Sequence, residues 1–315
     1  MRDVLKRFNH SEVYMKVTIG NHALRVACFA MASAIIGLTT TAAHAADLPA
    51  IEKLKKDPAI YASLPQKVKD AGVIRAATES DYPPFDFLDE KNQLIGADMD
   101  ISHALGRIMG VPIQNINTDF SAIIPGLQAG RFDIGVSSIG DYTAREKTMD
   151  FVDYYRGGTS FLIRTGATEP KAETDLCGTA VGVLKGTSSE TMTQTSSDHC
   201  VKAGKTAIAV NAYPTQSAAV LALKSGRIQS VSGDSATNGY SANNASLGIH
   251  NAGLSVYGDR PYYGIAIPKD SPLFQPMMDA MAKLIQSGVY AEILKKWGIT
   301  DGAIPVALKN QPIEQ

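Results

Sequence analysis

Three short stretches place polar side chains where small charged groups are commonly held. Thr143-Ala144-Arg145-Glu146 has the spacing of a capping box, with Thr143 as the cap and Glu146 three residues in. That spacing puts Arg145 in the first turn of a helix, where a cation opposes the macrodipole. The arrangement is mildly unfavourable unless an anion engages both, so carboxylate binding is preferred to a merely solvated arginine. Thr187 and Glu190 make a second box in Lys185-Gly186-Thr187-Ser188-Ser189-Glu190, directly after the apolar run 179–184. A glycine turn feeding a helix N-terminus offers free N–H groups to an anion, although a plain helix cap explains the same residues. The Walker A spacing is absent. Asp81-Tyr82-Pro83-Pro84-Phe85 reads as a rigid turn that displays aromatics. Tyr82 and Phe120 are placed to sandwich a planar or apolar side chain.

These groups need a scaffold, and an internal repeat indicates one. Residues 121–138 align with 217–234 at an offset of 96, with five identities in eighteen positions. Each copy reads as a serine cap, a helix, a glycine stop, an arginine and a short buried strand. Two similarly built α/β lobes follow. Residues 73–77 and 111–116 read as strands, and the apolar spacing over 98–110 predicts a helix ending at Gly110. Strands alternating with helices predict mainly parallel pairing, and residues 46–70 read as a polar helical lead-in. Ligands of open α/β sheets lie beyond the strands' carboxyl ends. The repeated strands end at Ser137-Ser138 and at Gly233-Asp234, so lobes that face each other bring Ser138 and Asp234 into one cleft. Arg145 suits an α-carboxylate held bidentately and Asp234 an α-ammonium. The set fits a small zwitterion.

The 315 residues carry 30 Lys and Arg against 31 Asp and Glu, with 44% hydrophobic and 19% charged residues. That balance excludes a disordered chain, a basic nucleic-acid-binding surface and a polytopic membrane protein. Residues 1–45 read as an export signal: basic residues, then an apolar run, then Ala43-His44-Ala45 as a cleavage site. Met15 is an alternative start. Cleavage leaves 25 basic and 29 acidic residues and two cysteines, Cys177 and Cys200. An even number in an oxidising compartment favours a disulfide over two buried thiols, worth about 3 kcal/mol on the chain-entropy estimate. His103, His199 and His250 show no ligand spacing, so neither metal nor cofactor is expected.

From about residue 64 to 300 the chain resembles a periplasmic amino-acid-binding protein of an ABC importer, the family-3 solute-binding type. The ordered matches are YPPFDF (82–87), GADMDI (96–101), 120–138, REKTMDFVDYY (145–155), LKGTSSE (184–190), YYGIAIPKD (262–270) and GVYAEILKKWG (288–298). The spacing of Cys177 and Cys200 also resembles a subgroup of that family. The resemblance implies two α/β lobes joined by two crossing strands. One lobe would comprise residues 70–158 and 256–300 and the other 159–255, with a lead-in at 46–69 and a tail at 301–315. It implies that Arg145 with Thr187 and Ser188 holds a carboxylate, that Asp234 with Ser138 holds an amine, that Tyr82 and Phe120 flank the ligand side chain, and that Ser137 also belongs to the ligand site. Two departures are notable. Gly140 stands where the family has Ser or Thr, and Glu79 stands where many relatives have Asp, near the side-chain end of the pocket. Leu184 makes another part of that wall apolar. The implied role is capture in the periplasm and delivery to an inner-membrane permease by a monomer, without nucleic acid and without chemistry. The alternative is a dehydratase on the same fold acting on an amino-acid-like substrate, for which Glu79 is the one spare carboxylate.

Overall fold

The computed structural model describes residues 48–252 and 260–313, so the expected export segment and the expected lobe boundary at 255–256 lie outside it. The described chain opens with three short helices, α1 (Pro49–Lys53), α2 (Pro58–Ser63) and α3 (Gln66–Ala71). This lead-in is less polar in effect than its composition suggests. Ile51, Ile60, Leu64 and Val68 are buried in the same core as Ile74 and Leu105. Next come β1 (Ile74–Thr78), the small meander β2 (Asp81–Tyr82), β3 (Asp86–Leu88) and β4 (Leu94–Ile95), then α4 (Ala97–Met109) and β5 (Ile113–Asn117). Ile101, Ala104, Leu105, Ile108 and Met109 form the fully buried stripe of α4. The helix stops at Gly110, whose φ of 68° is left-handed.

After α5 (Phe120–Gln128), β6 (Ile134–Gly140), the single turn α6 (Thr143–Glu146) and β7 (Met149–Arg156), the chain crosses at Gly157-Gly158 into a second sheet. That sheet and its helices are β8 (Thr159–Arg164), β9 (Ala180–Leu184), α7 (Ser188–Lys202), β10 (Ala209–Tyr213), α8 (Gln216–Lys224), β11 (Ser230–Asp234), α9 (Ser235–Ala242) and β12 (Ile249–Asn251). The return gives β13 (Tyr262–Pro268), α10 (Phe274–Gln286), α11 (Val289–Trp297) and β14 (Leu308–Lys309). The first sheet has the order β14-β7-β13-β6-β1-β5 and the second β10-β9-β11-β8-β12. The fold is two-lobed α/β.

The expectation of mainly parallel pairing is corrected. β1 pairs in parallel with β5 and β6, and β9 with β10 and β11. β13, β7, β14, β8 and β12 pair antiparallel, because the crossings bring strands into each sheet in the reverse direction. The 96-residue repeat is structural: α5 and α8 start at Phe120 and Gln216, and β6 and β11 at Ile134 and Ser230. Its caps lie two residues before the expected serines, at Asp119 and Thr215, and only Thr215 contributes a side-chain bond, accepting from the Ala218 N–H at 3.2 Å. Gly130 and Gly226, with φ of 68° and 78°, release both helices into their strands. Cys177 and Cys200 form a disulfide between the approach to β9 and the end of α7. Among the described residues no helix is long and apolar enough to cross a membrane, and no group of His, Cys, Asp and Glu is arranged to hold a metal ion.

Candidate functional site

Where the two lobes meet, a cavity of about 30 Å³ is lined by Tyr82, Phe120, Ser138, Gly140, Arg145, Thr159, Leu184, Thr187, Ser188, Ser189, Asp234 and Tyr263. Nine residues singled out from the sequence, Leu184 of the pocket wall among them, therefore converge. Glu79 and Ser137 do not line the cavity but lie behind it, where the Glu79 N–H donates to the Ser137 hydroxyl at 3.1 Å. A larger groove of about 690 Å³ runs along α4 and holds none of the expected residues. Its charges are already paired: Asp100 with Lys296 at 2.8 Å, and Arg107 with Glu52 at 3.0 Å. The small interlobe cavity is the better candidate on chemistry.

Arg145 is half-buried, and its guanidinium lies near the Phe120 and Tyr142 rings, 5.7 and 5.5 Å from their centroids. It donates to two carbonyls, of Gly140 at 2.8 Å and, across the interface, of Gly186 at 3.3 Å. Among the described residues no carboxylate pairs with it, and burial lowers its pKa. A desolvated cation held only by neutral carbonyls favours an incoming anion. The capping box expected at Thr143 is not formed as such. Tyr142, extended at φ −133° and ψ 143°, occupies the cap position without a side-chain bond, and Thr143 is the first helical residue. Gly140 has a packing reason that the sequence did not disclose: a β-carbon there would overlap the Tyr142 ring. The hydroxyl usual at this position is replaced by the aromatic face beneath Arg145.

In the second lobe Thr187 caps α7, accepting from the Glu190 N–H at 3.4 Å. Glu190 does not close the reciprocal bond to the cap but reaches one residue further back, to the Gly186 N–H at 2.6 Å. Asp234 caps α9, where one oxygen accepts from the N–H groups of Ala236 and Thr237 at 2.7 and 3.2 Å. Its other oxygen accepts from the Tyr263 hydroxyl of the first lobe, while the Asp234 N–H donates to the Tyr82 hydroxyl at 3.1 Å. Asp81 completes the seam, accepting from the Ser217 hydroxyl and N–H at 2.6 and 2.8 Å at the start of α8.

The floor is acidic. Glu79, Asp86, Asp98 and Asp234 are all buried. Burial pushes Glu79, Asp98 and Asp234 each up to about 7, and burial with the added repulsion of Asp98 and Glu79 holds Asp86 well above the ordinary carboxylate range. Asp98 also sets the geometry of the site. It accepts from the Ser138 N–H at 2.6 Å and from the Tyr154 hydroxyl at 2.6 Å, and Ser138 sits at φ 40°, a left-handed conformation unusual for serine. Asp98 and Tyr263 were given no role in the sequence reading, although they lie inside two quoted stretches, GADMDI and YYGIAIPKD. Ser189 likewise lies inside a quoted stretch, LKGTSSE, without a role, and Thr159 carried no signal.

The order of these elements and the two facing half-sites direct attention to one class of proteins. A sequence profile described as "Bacterial extracellular solute-binding proteins, family 3" matches residues 74–300. The chain belongs to this family. Among family members, the arginine-binding protein ArgT of Corynebacterium glutamicum is 33% identical over 255 residues, 81% of this chain and 83% of its own. An L-arginine-binding protein of Pseudomonas aeruginosa is 31% identical over 243 residues, 75% of this chain and 91% of its own. Among solved structures, an ancestral arginine-binding protein bound to arginine superposes with a TM-score of 0.65 at 33% identity, covering 72% of this chain and 98% of its own. An ancestral amino-acid-binding protein described as a precursor of cyclohexadienyl dehydratase gives 0.65 at 27% identity, covering 74% and 98%. The family match stops short of the lead-in helices and of β14, both of which pack on the first lobe of this family-3 protein.

Proposed function

We propose that this protein is the periplasmic substrate-binding component of an ABC-type importer. In this reading it captures a basic amino acid, arginine foremost, and delivers it unchanged to an inner-membrane permease. The observation that carries the reading is the placement of opposite groups at the site: one half-buried guanidinium at Arg145, with no carboxylate partner among the described residues, against four buried carboxyls at Glu79, Asp86, Asp98 and Asp234. Burial disfavours ionisation of these carboxyls, and an incoming cation would favour it. Arg145 would receive the α-carboxylate, with Thr187 and Ser188 beside it. Asp234 and Ser138 would receive the α-ammonium in place of the Tyr263 hydroxyl. Tyr82 and Phe120 would flank a side chain whose cationic end lies toward Glu79. The names of the arginine-binding relatives support this choice of ligand.

Motion is part of the proposal. A space of about 30 Å³ has room for only about one or two waters, so an amino acid enters only when the lobes part, and the seam contacts re-form around it. The lobes divide at residues 158–159 and near 255–256 in this account, and the protein acts as a monomer. Isothermal titration with L-arginine tests the reading. One-to-one binding is expected, and Arg145→Ala should abolish it while leaving circular dichroism unchanged, because removing one partner of a buried charge pair costs about 2–5 kcal/mol. Unchanged affinity in that variant refutes the anchor.

The raised pKa of Glu79 and the neighbour described as a dehydratase precursor give the dehydratase reading its support, since a general acid needs such a value. Against it, Glu79 lies behind the cavity wall and accepts from the Asp81 N–H at 2.6 Å. A cyclohexadienyl amino acid incubated with the protein should remain unchanged by NMR.

A further inference from the structure

We propose that the C-terminal segment 308–313 is a strap that positions the Arg145 turn, and thereby sets the grip on the ligand carboxylate; the inference rests on the binding role argued above for Arg145. The strap runs antiparallel to β7, with Leu308 opposite Asp153 and Lys309 opposite Val152. Asn310, at φ 48°, fastens it: its side chain accepts from the Phe151 N–H at 2.7 Å and donates to Asp150 at 3.0 Å. The Gln311 N–H donates to Asp153 at 3.1 Å. Ile313 then bridges Tyr142, its carbonyl accepting from the Thr143 N–H at 3.3 Å and its N–H reaching the Asp141 carbonyl at 3.5 Å. Tyr142 is the residue whose ring underlies the Arg145 guanidinium and fills the space above Gly140.

The strap does not behave as a piece of core. From residue 305 to 313 no residue is fully buried, so apart from the Lys309 ammonium over the Phe274 ring, 4.8 Å from its centroid, what it contributes is hydrogen bonds to two places, β7 and the Arg145 turn. The turn needs them. It is a single helical turn without a side-chain cap. From the opposite side it is held mainly by the Asp141 N–H on the Tyr262 carbonyl at 2.8 Å and by Lys269 on the Glu146 carbonyl at 3.0 Å. Beneath it the carboxyls of Asp141, Glu146 and Asp153 are crowded together, and burial with their mutual repulsion raises Asp141 to about 8 and Asp153 to about 7. That cluster favours opening of the turn once the strap is gone.

The test uses the exported chain ending at Ala307, the single variant Asn310→Ala, and Arg145→Lys, each titrated with L-arginine. In the wild-type background the truncation should weaken binding about tenfold, mostly through faster dissociation, as expected for loss of a few hydrogen bonds that hold a contact group. In the Arg145→Lys background, where the bidentate grip is already lost, the same truncation should change affinity by less than about twofold. Asn310→Ala should show a smaller loss of the same kind, and serves if the truncated chain does not fold. Equal losses in both backgrounds would assign the strap to general stability and overturn the proposal, as would no loss in either. A wild-type chain that fails to bind L-arginine sinks the functional reading instead. The strap is then judged in the ligand-free protein by hydrogen exchange: faster exchange of the Thr143 and Arg145 amides in Asn310→Ala supports it, and unchanged exchange overturns it.

Discussion

Asp81→Ala isolates the closure of the cleft from the chemistry of the pocket. Asp81 lies outside the cavity lining and holds the two lobes through two bonds to Ser217, at 2.6 and 2.8 Å, at the start of α8. The carboxylate also meets the positive end of that helix. Both bonds involve an ionised group but sit near solvent, so their combined worth is about 1–2 kcal/mol rather than the full value of buried charged hydrogen bonds. The backbone N–H of residue 81 continues to donate to Glu79. The variant therefore removes this one contact of the seam and leaves those of Arg145, Tyr82 and Asp234. It touches the floor only by lifting the Asp81 repulsion that helps to raise the Glu79 pKa. If the lobes part in the ligand-free protein, the lost contact destabilises only the closed state. Affinity for L-arginine should then fall about 5–30-fold, while ligand-free unfolding is unchanged. Calorimetric titration paired with denaturant unfolding reads both quantities. Unchanged affinity, or ligand-free stability falling by the same 1–2 kcal/mol, would mean a permanently closed cleft and refute the hinge.

Three further outcomes are expected. Gly140→Ser should not restore a family hydroxyl contact but displace the Tyr142 ring, destabilising the fold by about 1–3 kcal/mol and weakening ligand binding; a variant that binds more tightly at unchanged melting temperature contradicts this. Cys177→Ser, which opens a loop between residues 23 apart, should lower unfolding free energy by about 3 kcal/mol, with wild-type midpoints that differ between oxidised and reduced samples. The third concerns pH. Glu79, Asp98 and Asp234 titrate near 7 in the fold against about 4 in the unfolded chain, so the native state holds protons that the unfolded state has lost. Ligand-free melting temperature should therefore decline as pH rises from about 4 to about 7, and binding of L-arginine near pH 6.5 should release protons, visible as buffer-dependent calorimetric enthalpies.

Local signals carried much of the fold. The stripe of α4, its stop at Gly110 and the repeat of α5–β6 in α8–β11 follow from spacing that one segment contains by itself. The convergence of Ser138 and Asp234 followed from the repeat together with the rule for strand ends. The errors arose where backbone conformation or a distant partner decides. A cap depends on an extended residue before the helix, so Thr143 looked like one while Tyr142 occupies the place, and Ser121 and Ser217 looked like caps while Asp119 and Thr215 do. Antiparallel pairing came from β13, which meets β6 and β7 only after more than a hundred residues of intervening chain. Tyr263 and Asp98 act through contacts to residues 29 and 40 positions away, Asp234 and Ser138, and no pattern near either residue announces them. Gly140 was legible as a departure, but its cause, a ring two residues away folded back over it, was not.

The order of strands in the first sheet has a consequence for how the chain becomes a protein. β13 lies between β7 and β6, yet it is synthesised only after the whole of the second sheet. Until residues 262–268 emerge, β6 and β7 each present an unpaired edge toward the place that β13 will fill, the kind of exposed backbone that invites mispairing. The second sheet uses one uninterrupted stretch, residues 159–251, and its disulfide closes within that stretch. It can therefore fold as a unit while the first lobe is still waiting for its centre. A chain interrupted after residue 252 should contain an oxidised, protease-resistant second lobe followed upstream by a first lobe that any protease can cut. Crossing between the lobes twice makes the older half of the chain the last to be finished.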